Sequence, residues 1–162
     1  MPLDPAFIAD CPYAPDAQLI DDILLVDRER SRIVARMPTH VDMPITRDQR
    51  VHPVRHPRHV SGGLIVHITG IVGFAHAYHI LDLRHADGWS GYGTHIKSAR
   101  FKRMAGIGEP LELGCTAASV RRIRGNYFIV YRFDFHQAGE LVYESEQSAV
   151  FTRAAADERA AL

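Results

Sequence analysis

The longest apolar stretch of the chain lies within residues 61–83, SGGLIVHITGIVGFAHAYHILDL. It is long enough for about six turns of helix, and it is apolar on nearly every side, so other structure must surround it. His67, His76 and His79 interrupt the run, which indicates a buried core helix and not a membrane span. Ser61 is a suitable N-cap residue for this predicted central helix.

The segments around the predicted helix have the patterns of β-strands. Residues 19–37 predict two strands joined by a polar turn at Arg28–Ser31. A turn-rich break follows the helix at 87–93. Four further strands are predicted beyond this break, in the segments 93–103, 111–125, 126–139 and 140–153. This order predicts an α+β domain in which a long helix packs across a curled antiparallel sheet.

The bulk composition is that of an ordinary soluble protein, with 46% apolar and 23% charged residues. The 162 residues predict one domain over 1–162, with an N-terminal arm at 1–18 and a short C-terminal tail at 154–162. A net charge of zero gives no global field that would attract nucleic acid or an acidic membrane. Cys11 and Cys115 have no metal or redox spacing, and no secretory signal is visible, so we expect a cytoplasmic location.

Residues 38–60 show little periodicity and predict a long loop. Its second half holds three histidines, at His52, His56 and His59. A metal site is the obvious alternative for such a cluster. Pro53 and Pro57 argue against a regular helix there, and no Asp or Glu occurs between 51 and 81. The sequence therefore predicts no metal, with the histidine loop as the last alternative.

Short segments on both sides of the helix resemble a known group of enzymes. ILLVDRERSRIVAR is similar to the opening strands of the 3-hydroxyacyl-acyl carrier protein (ACP) dehydratases, and ARFKRMAGIGEPLEL is similar to a strand and turn that dehydratases and thioesterases share. CPYAPDAQLID, RHVSGG, DGWS and SARFKR together look most like the FcoT-type long-chain acyl-CoA thioesterases. The likeness covers roughly residues 11–150, and it implies the hot-dog fold, in which an antiparallel sheet wraps around a central helix.

The resemblance implies an enzyme that acts on acyl-CoA or acyl-ACP, with thioester hydrolysis as the first choice, in fatty acid or polyketide metabolism. It implies a homo-oligomer, a dimer or larger, because this fold usually builds its sites between subunits. It implies no cofactor, and neither nucleic acid nor a membrane is expected as a partner.

The chain departs from these families at the positions of their machinery. Dehydratases pair a loop histidine with an acidic residue inside the helix, and this chain has none there. Where the FcoT-type pattern has asparagines, it has Ser61 and Gly70, although Tyr13 matches a tyrosine of that pattern. A dehydratase-like lyase would need its acid from Asp82 or a partner chain. A non-catalytic acyl-thioester-binding protein is a further alternative.

The start of the predicted helix is the candidate site for the thioester carbonyl. Free N–H groups near Gly62, Gly63 and Leu64 would stabilise an oxyanion. His59 precedes them and is the first candidate for the base that activates water. The alternatives are a plain tight turn and a solvated loop histidine.

His67, one turn inside the helix, is the second candidate base. At about 100° per residue it shares a stripe with Gly63 and Gly70, and His76 lies on the opposite, wetter side. A lone histidine on an apolar face is more often a hydrogen-bonded core residue, so that alternative stays open. The predicted substrate-binding residues, among which Tyr13 and Trp89 would close the acyl tunnel, are Tyr13, His56, Ser61, Gly62, Gly63, Gly70, Trp89 and Arg100.

Two basic groups on the predicted strands are candidates for contact with the phosphates of coenzyme A or an acidic carrier protein. The six residues, predicted to lie at one end of the sheet, are Arg100, Lys102, Arg103, Arg121, Arg122 and Arg124. Ordinary solvated strand charge is the alternative.

Overall fold

A computed structural model of the protein describes residues 2–154. Its elements in chain order are α1 (Pro5–Asp10), α2 (Pro15–Gln18), β1 (Asp22–Asp27), β2 (Arg32–Met37), α3 (Gly62–Leu81), a 3-10 turn (His85–Asp87), β3 (Trp89–Phe101), β4 (Leu111–Ile123), β5 (Asn126–Gln137) and β6 (Glu140–Arg153). The predicted C-terminal tail lies outside the described residues except for Ala154.

The six strands form one antiparallel sheet in the order β1-β2-β4-β5-β6-β3. Alternate residues of β5, from Ile129 to Phe135, are buried against the core, as the two-residue pattern predicts. Helix α3 contacts β1, β2, β3 and β4. The predicted architecture, an antiparallel sheet with a long central helix, is confirmed.

Helix α3 is apolar on nearly every side because the fold surrounds most of it. It is long and apolar enough to cross a membrane by composition, but 67% of that stretch is buried inside the protein. At its C-terminal end Asp82 adopts a left-handed conformation, with φ of 54°, and its side chain pairs with Arg28 at 3.3 Å. The apolar composition of α3 is thus explained by core packing.

Strand β3 begins earlier than the sequence pattern predicts. The turn expected at 87–93 ends at Gly88, since Trp89–Gly93 pairs with β6. At Gly91 the ring of Phe151 fills the place where a Cβ atom would stand, so this glycine makes room for a buried aromatic ring.

The outer face of the sheet carries cross-strand ion pairs. Arg32 on β2 reaches across β4 to Asp134 on β5 with two N–O distances of 2.7 Å. The strand between them has Gly114 at this level, where a Cβ atom would lie 2.5 Å from the Arg32 guanidinium and 2.7 Å from the Asp134 carboxylate. The hydrogen bonds to Asp134 raise the pKa of Arg32. The ion pair can form because Gly114 places no side chain between the two groups.

The two basic groups lie at opposite ends of the sheet, so the prediction that they share one end is wrong. The strand register aligns Arg100 with Glu144, and through β5 with Gly114 on β4. Arg121 lies seven residues further along β4, which at about 3.3 Å per residue is roughly 23 Å away. The distance between the two basic groups depends on how the strands pair in the sheet, and it cannot be read from their spacing in sequence.

His76 is fully buried, so its predicted place on a wetter helix face is also wrong. Its Nε2 atom lies 3.1 Å from the Ser31 hydroxyl and 3.0 Å from the Ser31 carbonyl oxygen, and its Nδ1 atom lies 3.3 Å from the Tyr131 hydroxyl. Burial lowers the pKa of His76 from 6.5 to about 4. The side chain is therefore a neutral core residue that ties α3 to the β1–β2 turn and to β5.

Candidate functional site

Helix α3 starts at Gly62 with no side-chain cap. Ser61 occupies the N-cap position, but its hydroxyl accepts no hydrogen bond from the helix. The first helical hydrogen bond runs from the N–H of Ile65 to the carbonyl of Ser61, at 3.0 Å. The N–H groups of Gly62, Gly63 and Leu64 precede it, at the positive end of the helix dipole. This end of α3 is suited to binding a carbonyl oxygen or an oxyanion.

His59 is held beside this helix start by a glutamine that the sequence analysis did not single out. The N–H of His59 donates to Gln49 Oε1 at 3.1 Å, and Gln49 Nε2 donates to the carbonyl of His59 at 2.9 Å. The ring Nδ1 lies 2.8 Å from the carbonyl oxygen of Pro57. A carbonyl oxygen only accepts, so we assign the hydrogen to Nδ1 and the lone pair to Nε2. His59 in this tautomer can take a proton through Nε2.

His59 and Gly62 line the same surface groove, and the other wall is the end of β3 with the residues that follow it, 101–105. The ring of Phe101 packs onto Gly62, where a Cβ atom would lie 3.3 Å from its Cε1 atom. Lys102 also lines this groove and pairs with Glu144 at 3.0 Å. The groove therefore combines the helix start, a histidine and positive charge.

His67 lies away from that groove. Its Nε2 atom is 3.1 Å from the carbonyl oxygen of Ala17, and its ring packs edge-on against Tyr13 with 5.3 Å between centroids. The N-terminal arm thus holds His67 in place. Of the two predicted catalytic histidines, His59 lines the groove at the helix start and His67 does not.

Gly70 and Tyr13 line a second opening, a cavity of about 210 Å³ between α3 and the strands β3, β5 and β6. We call it the glycine slot and define it by Gly70 and Gly73 of α3 and Gly91 and Gly93 of β3. Two polar residues that the sequence analysis missed also line it, Thr69 and Gln147. The alternation along β6 is the signal for Gln147, since it shares the core-facing row with Tyr143 and Ser145.

The remaining predicted residues border the groove or the glycine slot without lining either one. Trp89 packs against Tyr127, with 5.3 Å between ring centroids, and lines an adjoining cavity of about 140 Å³ that shares Gly91 and Phe151 with the glycine slot. Arg100 is exposed and pairs with Glu144 at 3.2 Å. His56 is exposed, with its ring edge-on to that of His59 at 5.0 Å between centroids.

Within residues 2–154, the structure supports neither the lyase alternative through Asp82 nor the metal alternative through the histidine loop. Asp82 lies at the far end of α3, about 30 Å from Gly62 at 1.5 Å per residue. His52 and His56 exchange backbone hydrogen bonds of 2.8 and 2.9 Å. Residues 2–154 contain no group of three or more His, Cys, Asp or Glu side chains that could hold a metal ion.

Comparisons with known proteins identify the architecture. No family model matches the chain, and no curated protein matches it in sequence. A thioesterase from Haemophilus influenzae matches in structure with a TM-score of 0.62 at 18% identity, over 90% of this chain and 87% of that one. This is a hot-dog fold.

Two further solved structures agree with the hot-dog assignment. A mutant thioesterase from Pseudomonas aeruginosa has a TM-score of 0.63 at 15% identity, over 91% of this chain and 92% of that one. A hypothetical thioesterase from Streptococcus pneumoniae with coenzyme A has a TM-score of 0.59 at 11% identity, over 82% and 85%. At these identities the likeness shows the hot-dog fold, and the activity has to be argued from this chain's own residues.

Proposed function

We propose that this protein hydrolyses acyl thioesters of coenzyme A or ACP at the start of α3. The observation that carries the proposal is the uncapped glycine start of the helix beside the lone-pair nitrogen of His59. The fold supports it, because similar structures are named thioesterases.

In the proposed reaction, the thioester carbonyl oxygen accepts hydrogen bonds from the N–H groups of Gly62 and Gly63. Water attacks the carbonyl carbon while His59 Nε2 takes one of its protons, and the helix start stabilises the oxyanion that forms. The carbon–sulfur bond then breaks and the same proton passes to the sulfur. The products are a carboxylic acid and a free thiol.

His67 is the second candidate base. Its Nε2 is committed to the Ala17 carbonyl, so the hydrogen belongs there and Nδ1 carries the lone pair. In this proposal His67 and Tyr13 line the path of the acyl group, and the Ser61 hydroxyl and His56 contact the thioester end. Arg100 and Trp89 remain predicted substrate contacts, although neither side chain lines the groove or the glycine slot of a single subunit.

Coenzyme A is the favoured carrier. Lys102 and Arg103 line the groove beside His59 and can meet phosphate groups. Each is already paired with a glutamate, at 3.0 Å to Glu144 and 2.9 Å to Glu140, so a phosphate would share or displace these partners. The similar structure with coenzyme A supports the same choice.

A thiol-release assay with acyl-CoA and acyl-ACP tests this function. We expect His59→Ala to lower kcat by about 100-fold or more, as removal of a general base does, and His67→Ala to lower it less. His40→Ala is the matched control, because His40 is an exposed loop histidine outside the groove. If both His59→Ala and His67→Ala turn over substrate at the wild-type rate, the assignment of the catalytic site is wrong. If the wild-type protein releases thiol from none of the thioesters, the proposed hydrolase activity is wrong.

We also propose that residues 1–162 form a single domain, that the protein is located in the cytoplasm, and that it is a homo-oligomer.

The edge of the sheet supports the homo-oligomer. Strand β3 is an edge strand and exposes apolar side chains, including Tyr92 at 59%, Ile96 at 47% and Phe101 at 52% exposure. We expect sedimentation equilibrium to give at least twice the 18.2 kDa chain mass, because pairing of two β3 strands would cover this edge. A monomer at micromolar concentration would contradict the interface.

The lack of any Asp or Glu between 51 and 81 favours a second candidate, an acyl-thioester-binding protein without turnover. Such a protein would bind acyl-CoA in calorimetry and release no thiol.

A further inference from the structure

Charge is unevenly distributed over the sheet, although the chain as a whole has no net charge. The segment 113–133, which covers most of β4 and β5, contains four arginines and no acidic residue. The neighbouring segments 147–153 of β6 and 88–96 of β3 contain no acidic residue either. The strands at one end of the sheet therefore carry only positive charge, which the net charge of the chain does not show.

This end of the sheet includes a hairpin that extends past its neighbouring strand. Strand β2 pairs with β4 only from Leu111 to Thr116, whereas β5 pairs with β4 as far as Ile123. We call residues 119–128 the hairpin tip; they hold the end of β4, the turn and the start of β5. Within residues 2–154, no strand pairs with the tip part of β4 on the side of β2. The hairpin tip is therefore an exposed edge.

The hairpin tip exposes charged and apolar side chains together. Its three arginines are exposed, and among the described residues none of them pairs with a carboxylate. Arg132, just outside the tip, differs because it pairs with Glu146 at 3.2 Å. Three large apolar side chains of the tip have exposed fractions between 40% and 50%. The tip residues in question are Arg121, Arg122 and Arg124, and Val120, Ile123 and Phe128.

An anionic lipid bilayer fits this combination better than other partners do. Arginines bind lipid phosphates while the apolar side chains between them enter the bilayer interface. DNA or RNA would use the arginines but would leave the apolar side chains in water. A second copy of the tip would bring two sets of unpaired arginines together. The tip is also small beside the roughly 20–30 residues that each side of a stable protein interface contributes.

We propose that the hairpin tip binds the surface of an anionic membrane, with its arginines on lipid phosphates and its three apolar side chains in the interfacial region. The expectation of no membrane partner rested on the net charge of the whole chain. A local cluster of unpaired arginines attracts an anionic surface without any net charge, because screening limits each field to about 10 Å. The proposal is independent of thioester hydrolysis, since the tip and the groove at Gly62 lie at opposite ends of the sheet.

Vesicle flotation tests the proposal on the full chain. We expect the wild type to float with vesicles of phosphatidylcholine and phosphatidylserine, and not with vesicles of phosphatidylcholine alone. Removal of the three tip charges should lower the partition coefficient by about 100-fold, roughly fivefold for each arginine. The variant combines Arg121→Gln, Arg122→Gln and Arg124→Gln.

The matched control removes three exposed arginines from the loop at 38–60. It combines Arg47→Gln, Arg50→Gln and Arg55→Gln, and we expect it to lose less than about threefold because these side chains lie outside the tip. Equal losses in the two triple variants would overturn the proposal, since binding would then depend on net charge alone.

Insertion of the apolar side chains needs its own measurement. Trp89 is the one tryptophan of the chain, so Trp89→Phe combined with Phe128→Trp reports on the tip alone. We expect its emission to shift to the blue with anionic vesicles. Ile123→Ser combined with Phe128→Ser should lower the partition coefficient by about tenfold or more, and circular dichroism should show that this exposed change leaves the fold intact.

Three results would overturn the membrane proposal. The first is no binding of the wild type to anionic vesicles, or binding without a shift in tryptophan emission. The second is binding to a DNA duplex in place of vesicles, which would assign the hairpin tip to nucleic acid. The third is a smaller oligomer in sedimentation of the Ile123→Ser, Phe128→Ser variant, which would make the tip an interface between copies.

Discussion

Replacing Gly62 with proline is expected to lower kcat/KM for thioester hydrolysis by about 100- to 1000-fold, the loss typical of one missing oxyanion donor. Proline removes the N–H of the first helical residue, a position where helices tolerate it well. Ser61 has φ of −58° and ψ of 139°, an extended conformation that suits the residue before a proline. The helix should therefore form, and the change should remove one donor.

Gly62→Ala is the matched control for that loss. Alanine adds the same Cβ atom beside Phe101, at 3.3 Å from Cε1, but keeps the N–H. Steady-state thiol release should separate the two variants by at least about tenfold, and circular dichroism should show that both are folded. Equal activities would mean that the N–H of Gly62 takes no part in the reaction.

The second large effect concerns stability and pH at His76. Its pKa is about 4 in the folded protein, against 6.5 as the ordinary value. Above pH 6.5 both states hold a neutral imidazole, and this contribution to the free energy of unfolding is complete. As the pH falls from 6.5 to about 4, the histidine is protonated in the unfolded chain but stays neutral in the folded protein. The free energy of unfolding therefore decreases over this range, by about 3 kcal/mol in total.

We expect His76→Gln to flatten this dependence. Urea unfolding at pH 7.5, 6.5, 5.5 and 4.5 should show a smaller loss in the variant than in the wild type. Burial also lowers the pKa of His79, which adds to the wild-type slope in the same direction. The informative quantity is therefore the difference between the two proteins. Identical slopes in the wild type and in His76→Gln would contradict the assignment.

Local patterns predicted the elements well, because each depends on neighbours in sequence. The apolar stretch at 61–83 became α3, and the alternation in β5 gave the buried row from Ile129 to Phe135. The start of β3 was missed because Trp89–Gly93 owes its strand structure to pairing with β6, some sixty residues away in sequence. The glycines in this segment favour a turn when only the local sequence is considered, whereas pairing with β6 makes the segment a strand.

The candidate site was predictable where it depends on backbone and helix geometry. A glycine pair after a possible N-cap indicates a helix start with free N–H groups, and Gly62 and Gly63 lie there. Gln49, which holds His59, was not predictable, because a loop contact across ten residues has no periodic signal. The burial of His76 against Ser31 and Tyr131 likewise depends on three separate elements.

The amino-acid sequence by itself determined the central helix, the antiparallel strands and the glycines at the helix start, since periodicity and local conformational freedom act along the chain. Only the tertiary structure decided that His59 and His67 lie apart, that the two basic groups occupy opposite ends of the sheet, and that Gly70 faces open space. Those facts follow from strand register and packing between distant segments, whose energies depend on which surfaces meet.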